Sequence, residues 1–299
     1  MERITNVALN ASVLSTTQRT LARLSTYQQQ LATGKKVIDV SDDPVGAKSS
    51  MRYSGEKFSA QKYLDNIDRG SAFMTATDSS LAEMSQLMDQ VKEIAVQGAN
   101  GSQDAASRSV LAQSLDSYLS RLVDVSNAVH DGRYIFAGTA TTQDTPPFAI
   151  AADGSSVTYG GNLDAFAVKV GPNSSVTLNQ DGYGLFMKDV DVFKMVIDLR
   201  EALNANDGDK VNALLTDADA SSSHINNLHG AMGGRLQRLE LAKNQLEDSQ
   251  VYLGELISQI EDVDMTEAIS QMQLSQVALE AGLQAGSRVL QPTLLDFLR

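Results

Sequence analysis

Residues 225–264 read INNLHGAMGGRLQRLELAKNQLEDSQVYLGELISQIEDVD, and their spacing decides the fold. Ile225, Met232, Leu239, Leu246, Leu253 and Ile260 stand seven apart without a miss. Leu228, Ala242, Leu256 and Val263 hold the offset three residues later, broken by Arg235 and Ser249. A seven-residue repeat keeps one apolar seam turned toward a partner helix, because slightly under-wound helices coil round one another. The stretch holds no proline and predicts one helix of about 40 residues, about 60 Å long at 1.5 Å per residue. Gly230, Gly233 and Gly234 each weaken that helix by about 1 kcal/mol against alanine, and predict a bend or a close helix approach.

Partners for this seam lie upstream. Ile67, Met74, Leu81, Met88 and Ala95 repeat at seven, joined by Met84 and Val91, up to a break at Gly98-Ala99-Asn100-Gly101-Ser102. A second segment places Leu111, Leu115, Tyr118, Leu122, Val125 and Val129 on one helical face, and a third does so with Val192, Val196, Leu199 and Leu203 before Asn206-Asp207-Gly208. Long helices that bury such stripes against each other form an antiparallel bundle. Between Gly132 and Gly184 the period changes to two. Val157 and Tyr159, then Phe166, Val168 and Val170, then Val176 and Leu178 alternate with polar or small residues between Gly- and Asp-rich turns. That pattern predicts a small antiparallel β insert.

Both chain ends carry weaker repeats. Val7, Leu14 and Leu21, with Leu24 and Leu31 on the adjoining offset, and near the other end Met272 and Leu279, with Leu283 and Leu290, are the candidate assembly residues. Gln28, Gln276 and Gly286 interrupt these seams. Residues 268–287 hold a single charge, Glu280, so that helix is expected to meet protein on several sides. Neither end has a seam strong enough to stand alone, and both are expected to order only against partners. The expected organisation is a terminal helical layer (1–40 and 265–299), a helical rod (41–131 and 187–264) and an inserted β-rich outer domain (132–186). The fold class is thus mainly α: an elongated antiparallel bundle or coiled-coil rod built from both chain ends.

Composition narrows the function. The 299 residues include no cysteine, which removes disulfides, thiol catalysis and cysteine-ligated metals, and three histidines leave little for a metal site. His224 and His229 are five apart, on different helix faces, and His130 stands alone. No cofactor or metal is expected. Net charge is −13, which argues against nucleic acid as a partner. Residues 1–50 hold six basic and four acidic side chains and 265–299 hold two and three, so the middle carries −14. Ends close to neutral suit segments that pack in many copies. No apolar run is long enough to span a membrane, and residues 1–20 lack the core of a signal peptide, so a cytosolic place or export without a cleaved leader is expected. Asp43 is read as the cap of a helix beginning at Pro44, with Asp42 near its positive end. Glu261, Asp262, Asp264 and Glu267 form an acidic cluster, read as a solvated face or assembly contact. No nucleophile–base pair assembles, so an acidic hydrolase using Glu261 or Asp264 is the weak enzyme alternative.

Residues 24–49, LSTYQQQLATGKKVIDVSDDPVGAKS, resemble the N-terminal signature of bacterial flagellins and their relatives, and residues 260–270, IEDVDMTEAIS, resemble the C-terminal one. Leu294-Leu295-Asp296-Phe297-Leu298-Arg299 is similar to the family's apolar tail. Gly132-Arg133-Tyr134-Ile135-Phe136-Ala137-Gly138-Thr139 and the β insert are similar to the hook–filament junction branch of that family. Filament flagellins usually carry Arg-Ile where Lys36-Val37 stands, and often lack a proline at position 44. The resemblance implies a structural, non-catalytic flagellar component, exported unfolded by the flagellar type III route with a cytosolic chaperone and residing outside the cell. It further implies self-assembly in a ring, with the first hook-associated protein on one side and flagellin on the other. A filament-forming flagellin and a type III needle-tip protein are the structural alternatives.

Overall fold

The computed structural model describes the backbone over residues 6–290; the tail at 294–299 lies outside the described residues. Helix α1 (Asn6–Thr33) is followed by α2 (Pro44–Ala99) and α3 (Ala105–Ser126). Three antiparallel hairpins come next: β1 (Val129–His130) with β2 (Arg133–Tyr134), β3 (Phe148–Ile150) with β4 (Val157–Tyr159), and β5 (Ala167–Gly171) with β6 (Ser174–Thr177). A short π-helix (Gly184–Lys188), α4 (Val192–Asn204), α5 (Gly208–Glu261) and α6 (Met265–Leu290) complete the chain. The chain is mainly helical. It divides into two compact units, Met1–Ser59 with Ser249–Arg299, and Ala60–Asp248.

Helix starts follow one rule. Every helix from α2 to α6 opens on an aspartate whose carboxylate accepts an orphan backbone N–H: Asp43 from Gly46 (2.9 Å), Asp104 from Ser107 (2.8 Å), Asp191 from Lys194 (2.8 Å), Asp207 from Lys210 (3.0 Å) and Asp264 from Thr266 (2.9 Å). Asp42 works elsewhere: its Oδ2 accepts from the amides of Asp39 (2.9 Å) and Ile38 (3.2 Å), and so fixes the loop before α2 rather than the helix end.

In the unit Ala60–Asp248, α2 and α5 run antiparallel. Lys243 Nζ reaches Asp68 (2.7 Å), Ser85 Oγ reaches Asn226 (2.6 Å), Ser222 Oγ reaches Asp89 (3.1 Å), and Lys92 pairs with Asp219. Between these polar ties lies the apolar seam. Met74, Leu81, Met84, Met88 and Val91 are fully buried, as are Leu115 and Leu122 of α3 and Ile225 of α5, with Met232 and Leu239 almost so. The helical period of α3 ends at Ser126; Val129 starts β1 and is exposed, so the spacing overran the helix by one turn. Gly230, Gly233 and Gly234 lie within an unbroken α5, and nothing approaches within 4 Å of where a Cβ would stand. The close approach expected there is absent; the glycines face open space.

The hairpins form no continuous sheet. Two-stranded ribbons are marginal alone and need a helix to pack on. Here Phe136 and Phe148 of the hairpin region meet Phe186 and Phe193, with ring centroids 5.2 Å apart for Phe136–Phe186 and 5.5 Å for Phe148–Phe193. Phe193 belongs to α4, so this core is shared between hairpins and helices. At the break after α2, Arg108 is almost fully buried, and among the described residues its partners are carbonyl and amide oxygens rather than a carboxylate. Its guanidinium donates to Gly98 O (3.0 Å), Asn100 O (3.3 Å) and Asn206 Oδ1 (2.6 Å), and so satisfies carbonyls at the ends of α2 and α4.

Candidate assembly interface

In the unit formed by the two chain ends, α1 stops at Gly34, whose φ of +72° only glycine adopts without strain. The chain then crosses the segment leaving α5. Lys36 N donates to Glu261 O (2.5 Å) and Val263 N to Gly34 O (3.0 Å), a single antiparallel bridge between connectors more than two hundred residues apart. Lys35 Nζ meets Glu261 Oε2 at 2.5 Å, Ser50 Oγ donates to Glu261 Oε1, and Gln30 Nε2 donates to Lys36 O (3.1 Å). The Lys35 ammonium and the Ser50 hydroxyl hold the Glu261 carboxyl below its ordinary range, and Glu261 in turn raises Lys35. A Cβ at Gly46 would collide with the Asp43 carboxylate and stand 3.1 Å from Ile260, the last residue of the seam. This clasp therefore joins residues from both signature segments.

Beyond the clasp α1 and α6 run antiparallel. Each end, expected to order only against partners, finds one in the other end. Gly286 is buried, and a Cβ there would come within 3.1 Å of Val13; one at Gly282 would stand 3.6 Å from Thr17. Gly286, read as a flaw in the seam, is the point of closest approach. A groove of about 390 Å³ runs along this contact, lined by Val13, Leu14, Thr17, Leu283 and the two glycines.

The candidate assembly residues separate into two sets. Leu24, Leu31, Met272 and Leu279 are half-buried in the α1–α6 contact, whereas Leu14, Leu21 and Leu283 are 60%, 57% and 57% exposed. Val7 and Leu290 lie in α1 and α6, with side chains outside the described residues. Leu274 and Val277, not singled out by the repeat, are exposed on α6 at 60% and 65%. Their signal was the missing charge across residues 268–287. Two helices can close one seam between them; the remaining apolar rows face outward.

The candidate chemistry is engaged in structure. Glu261 sits in the clasp, Asp264 caps α6 and Asp262 accepts from Ser258. His224 Nε2 lies 2.7 Å from Leu185 O, His229 3.3 Å from Asp78, and His130 edge-on to Phe73. No described helix is long and apolar enough to cross a membrane.

Comparison with known proteins agrees with this architecture. The model of the bacterial flagellin N-terminal helical region matches residues 4–141, and that of the C-terminal helical region matches residues 215–298. The chain is 23% identical over 284 residues to the flagellar hook-associated protein 3 of Escherichia coli K12, covering 87% of this chain and 88% of that one. It is 26% identical over 311 residues to the flagellin of Bacillus subtilis, covering 94% and 97%. A flagellar hook-associated protein structure from Vibrio parahaemolyticus superposes with a TM-score of 0.66 at 21% identity, over 74% of this chain and all of that one.

Proposed function

The chain belongs to the bacterial flagellin family, and from that membership we propose that it is the structural adaptor joining the hook-associated proteins to the flagellin filament. The observation that carries this reading is the paired chain ends with apolar rows left uncovered. Leu14, Leu21, Leu283 and Val277 expose leucine and valine surface on two helices that already pack together. Covering each such side chain is worth about 1–2 kcal/mol, and a ring multiplies the gain over many copies. In the proposal residues 1–40 and 265–299 form the inner, tube-forming layer, 41–131 with 187–264 the rod, and 132–186 the outer domain. Asp43 and Pro44 start α2 where the inner layer hands over to the rod. The first hook-associated protein lies on one side and flagellin on the other. The chain leaves the cell unfolded through the flagellar export channel, with a cytosolic chaperone covering its terminal segments, and resides at the hook–filament junction. No reaction belongs to this role.

A deletion strain tests it. Hooks should remain while flagellin is shed into the medium, and the restored gene should return filaments. Filaments still attached without the protein would overturn the reading. The second reading is a filament-forming flagellin, favoured by the similarity to the Bacillus subtilis protein along 94% of the chain. Purified protein that polymerises into long filaments would decide for it.

A further inference from the structure

The unit Ala60–Asp248 holds a cleft that the packing of its helices does not require. It measures about 780 Å³ and is lined from α2, from the tip of the β1–β2 hairpin and from around the β5–β6 hairpin. Its aromatic lining comes from Phe73 of α2, which meets Phe166 at 5.7 Å and His130 at 6.3 Å, both edge to face. The walls are held in place. Leu178 sits where a Cβ of Gly70 would be, and Asn66 Nδ2 donates to Lys169 O (3.0 Å), so α2 and β5 are tied beside the opening.

Arg69 and Arg133 line this cleft with a single carboxylate, Asp131. Arg69 stands four residues before Phe73 and so shares its face of α2. Among the described residues neither exposed guanidinium has a hydrogen bond or ion pair, whereas those of Arg121 and Arg200 in the same unit pair with Glu83 and Asp116. In a chain of net charge −13 carboxylates are plentiful, yet these two guanidinium groups go without one. A smaller cavity of about 230 Å³, lined by Phe73, Arg133 and Phe166, also reaches Thr139 and Thr141. Guanidinium forks beside ring faces suit a carboxylate carried on an apolar stem.

We propose that the cleft is a contact between copies of this chain, taking an aspartate or glutamate and its apolar neighbours from a second copy. Charge complementarity selects that occupant. The middle of the chain carries −14, so copies set side by side repel unless the acidic surface of one meets a basic site on the next. A contact between two different surfaces of identical subunits propagates head to tail and closes into a ring when the rotation allows. The inference rests on the junction reading, which requires copies to assemble.

The test places a photo-crosslinking amino acid at Ala72, an exposed position lining the cleft, in the full chain made by the deletion strain. Irradiated flagella should yield an adduct of two chains of 32.1 kDa each. The double variant Arg69→Glu/Arg133→Glu should lower that adduct at least about tenfold, since like charges facing each other cost several kcal/mol, with the helical circular dichroism of the purified variant unchanged. Arg69→Lys/Arg133→Lys should keep part of it. An adduct with flagellin or another protein overturns the second-copy occupant, as does an undiminished adduct in the reversed variant. Chain present in the flagella without any adduct overturns the contact while leaving the junction reading intact. Chain absent from the flagella overturns both.

Discussion

In α2 the repeat Met74, Leu81 and Met88 is closed from solvent completely, whereas in α1 the repeat Leu14 and Leu21 stays 60% and 57% exposed. The spacing is the same, and what differs is the number of neighbours. The α2 seam meets α3, α4 and α5 in one shared core. Helix α1 packs along α6, and one partner can cover only one face. A seven-residue period reports that a seam must be covered; it does not say whether the cover comes from the same chain. Burial supplies that second fact, and here it separates residues closed within the chain from residues whose apolar surface stays open.

Truncation should widen the contrast. Leu81→Ala removes a fully buried side chain and should cost about 2–5 kcal/mol, read as a lower denaturant midpoint. Leu21→Ala should stay within about 0.5 kcal/mol in the same measurement. Leu21→Asp and Leu283→Asp should leave the monomer's melting curve unchanged and abolish attachment of filaments, because an unpaired charge would enter a protein-covered wall. Equal destabilisation by Leu81→Ala and Leu21→Ala would break the distinction.

Arg108→Met tests the closed unit from its polar side. Methionine fills similar space but leaves the carbonyls of Gly98 and Asn100 and the Asn206 amide oxygen without their donor. The expected cost is about 3 kcal/mol, from charged hydrogen bonds lost and buried acceptors left bare. A change below about 0.5 kcal/mol would mean water replaces the guanidinium at no loss.

Much of this division was legible beforehand. The period in residues 67–95 and 225–253 marks the α2 and α5 seams, and Asp43 before Pro44 marks the start of α2; the aspartates that open α3 to α6 emerge only from the structure, with Asp264 reading as part of an acidic face. Other features left no periodic trace. Residues 44–59 of α2 expose Val45, Met51 and Phe58 and turn the small Ala47 and Ser50 inward, so the buried face of this stretch carries no large apolar repeat to announce it. Phe136, Phe148, Phe186 and Phe193 come from four separate segments, and spacing within a segment cannot bring them together. Arg108 reads as an ordinary surface cation on α3 until the ends of α2 and α4 are placed beside it. Gly286 looked like a defect because the rule for seams assumes side chain against side chain; close backbone approach reverses its meaning.

Gly286→Val sharpens the comparison inside the open unit. Its Cβ would stand 3.1 Å from Val13 Cγ1, and the added methyl groups force α1 from α6. Amide exchange over residues 11–30 should quicken by about tenfold, equivalent to about 1.4 kcal/mol of lost pairing. Exchange over residues 74–91 should not change. Uniform quickening along the chain would show that the ends and the closed core unfold as one.

The smallest effect expected is the pH response of the clasp. Glu261 titrates below its ordinary value of 4.5 because Lys35 and Ser50 hydrogen-bond the charged form. A carboxyl with a depressed folded value contributes stability above its unfolded value and loses it as pH falls through the folded one. Lys35 is raised above 10.5, so its share is present below that pH and lost only as pH rises through the raised value. The clasp should therefore hold from mildly acidic to alkaline pH and open below the ordinary carboxylate range. Protection of the Lys36 and Val263 amides reports it directly. In Glu261→Gln the acid-dependent loss should vanish and protection at pH 7 should fall modestly, because an amide cannot replace the charged partner of a largely exposed lysine. An unchanged acid response in that variant would show that Glu261 does not govern it.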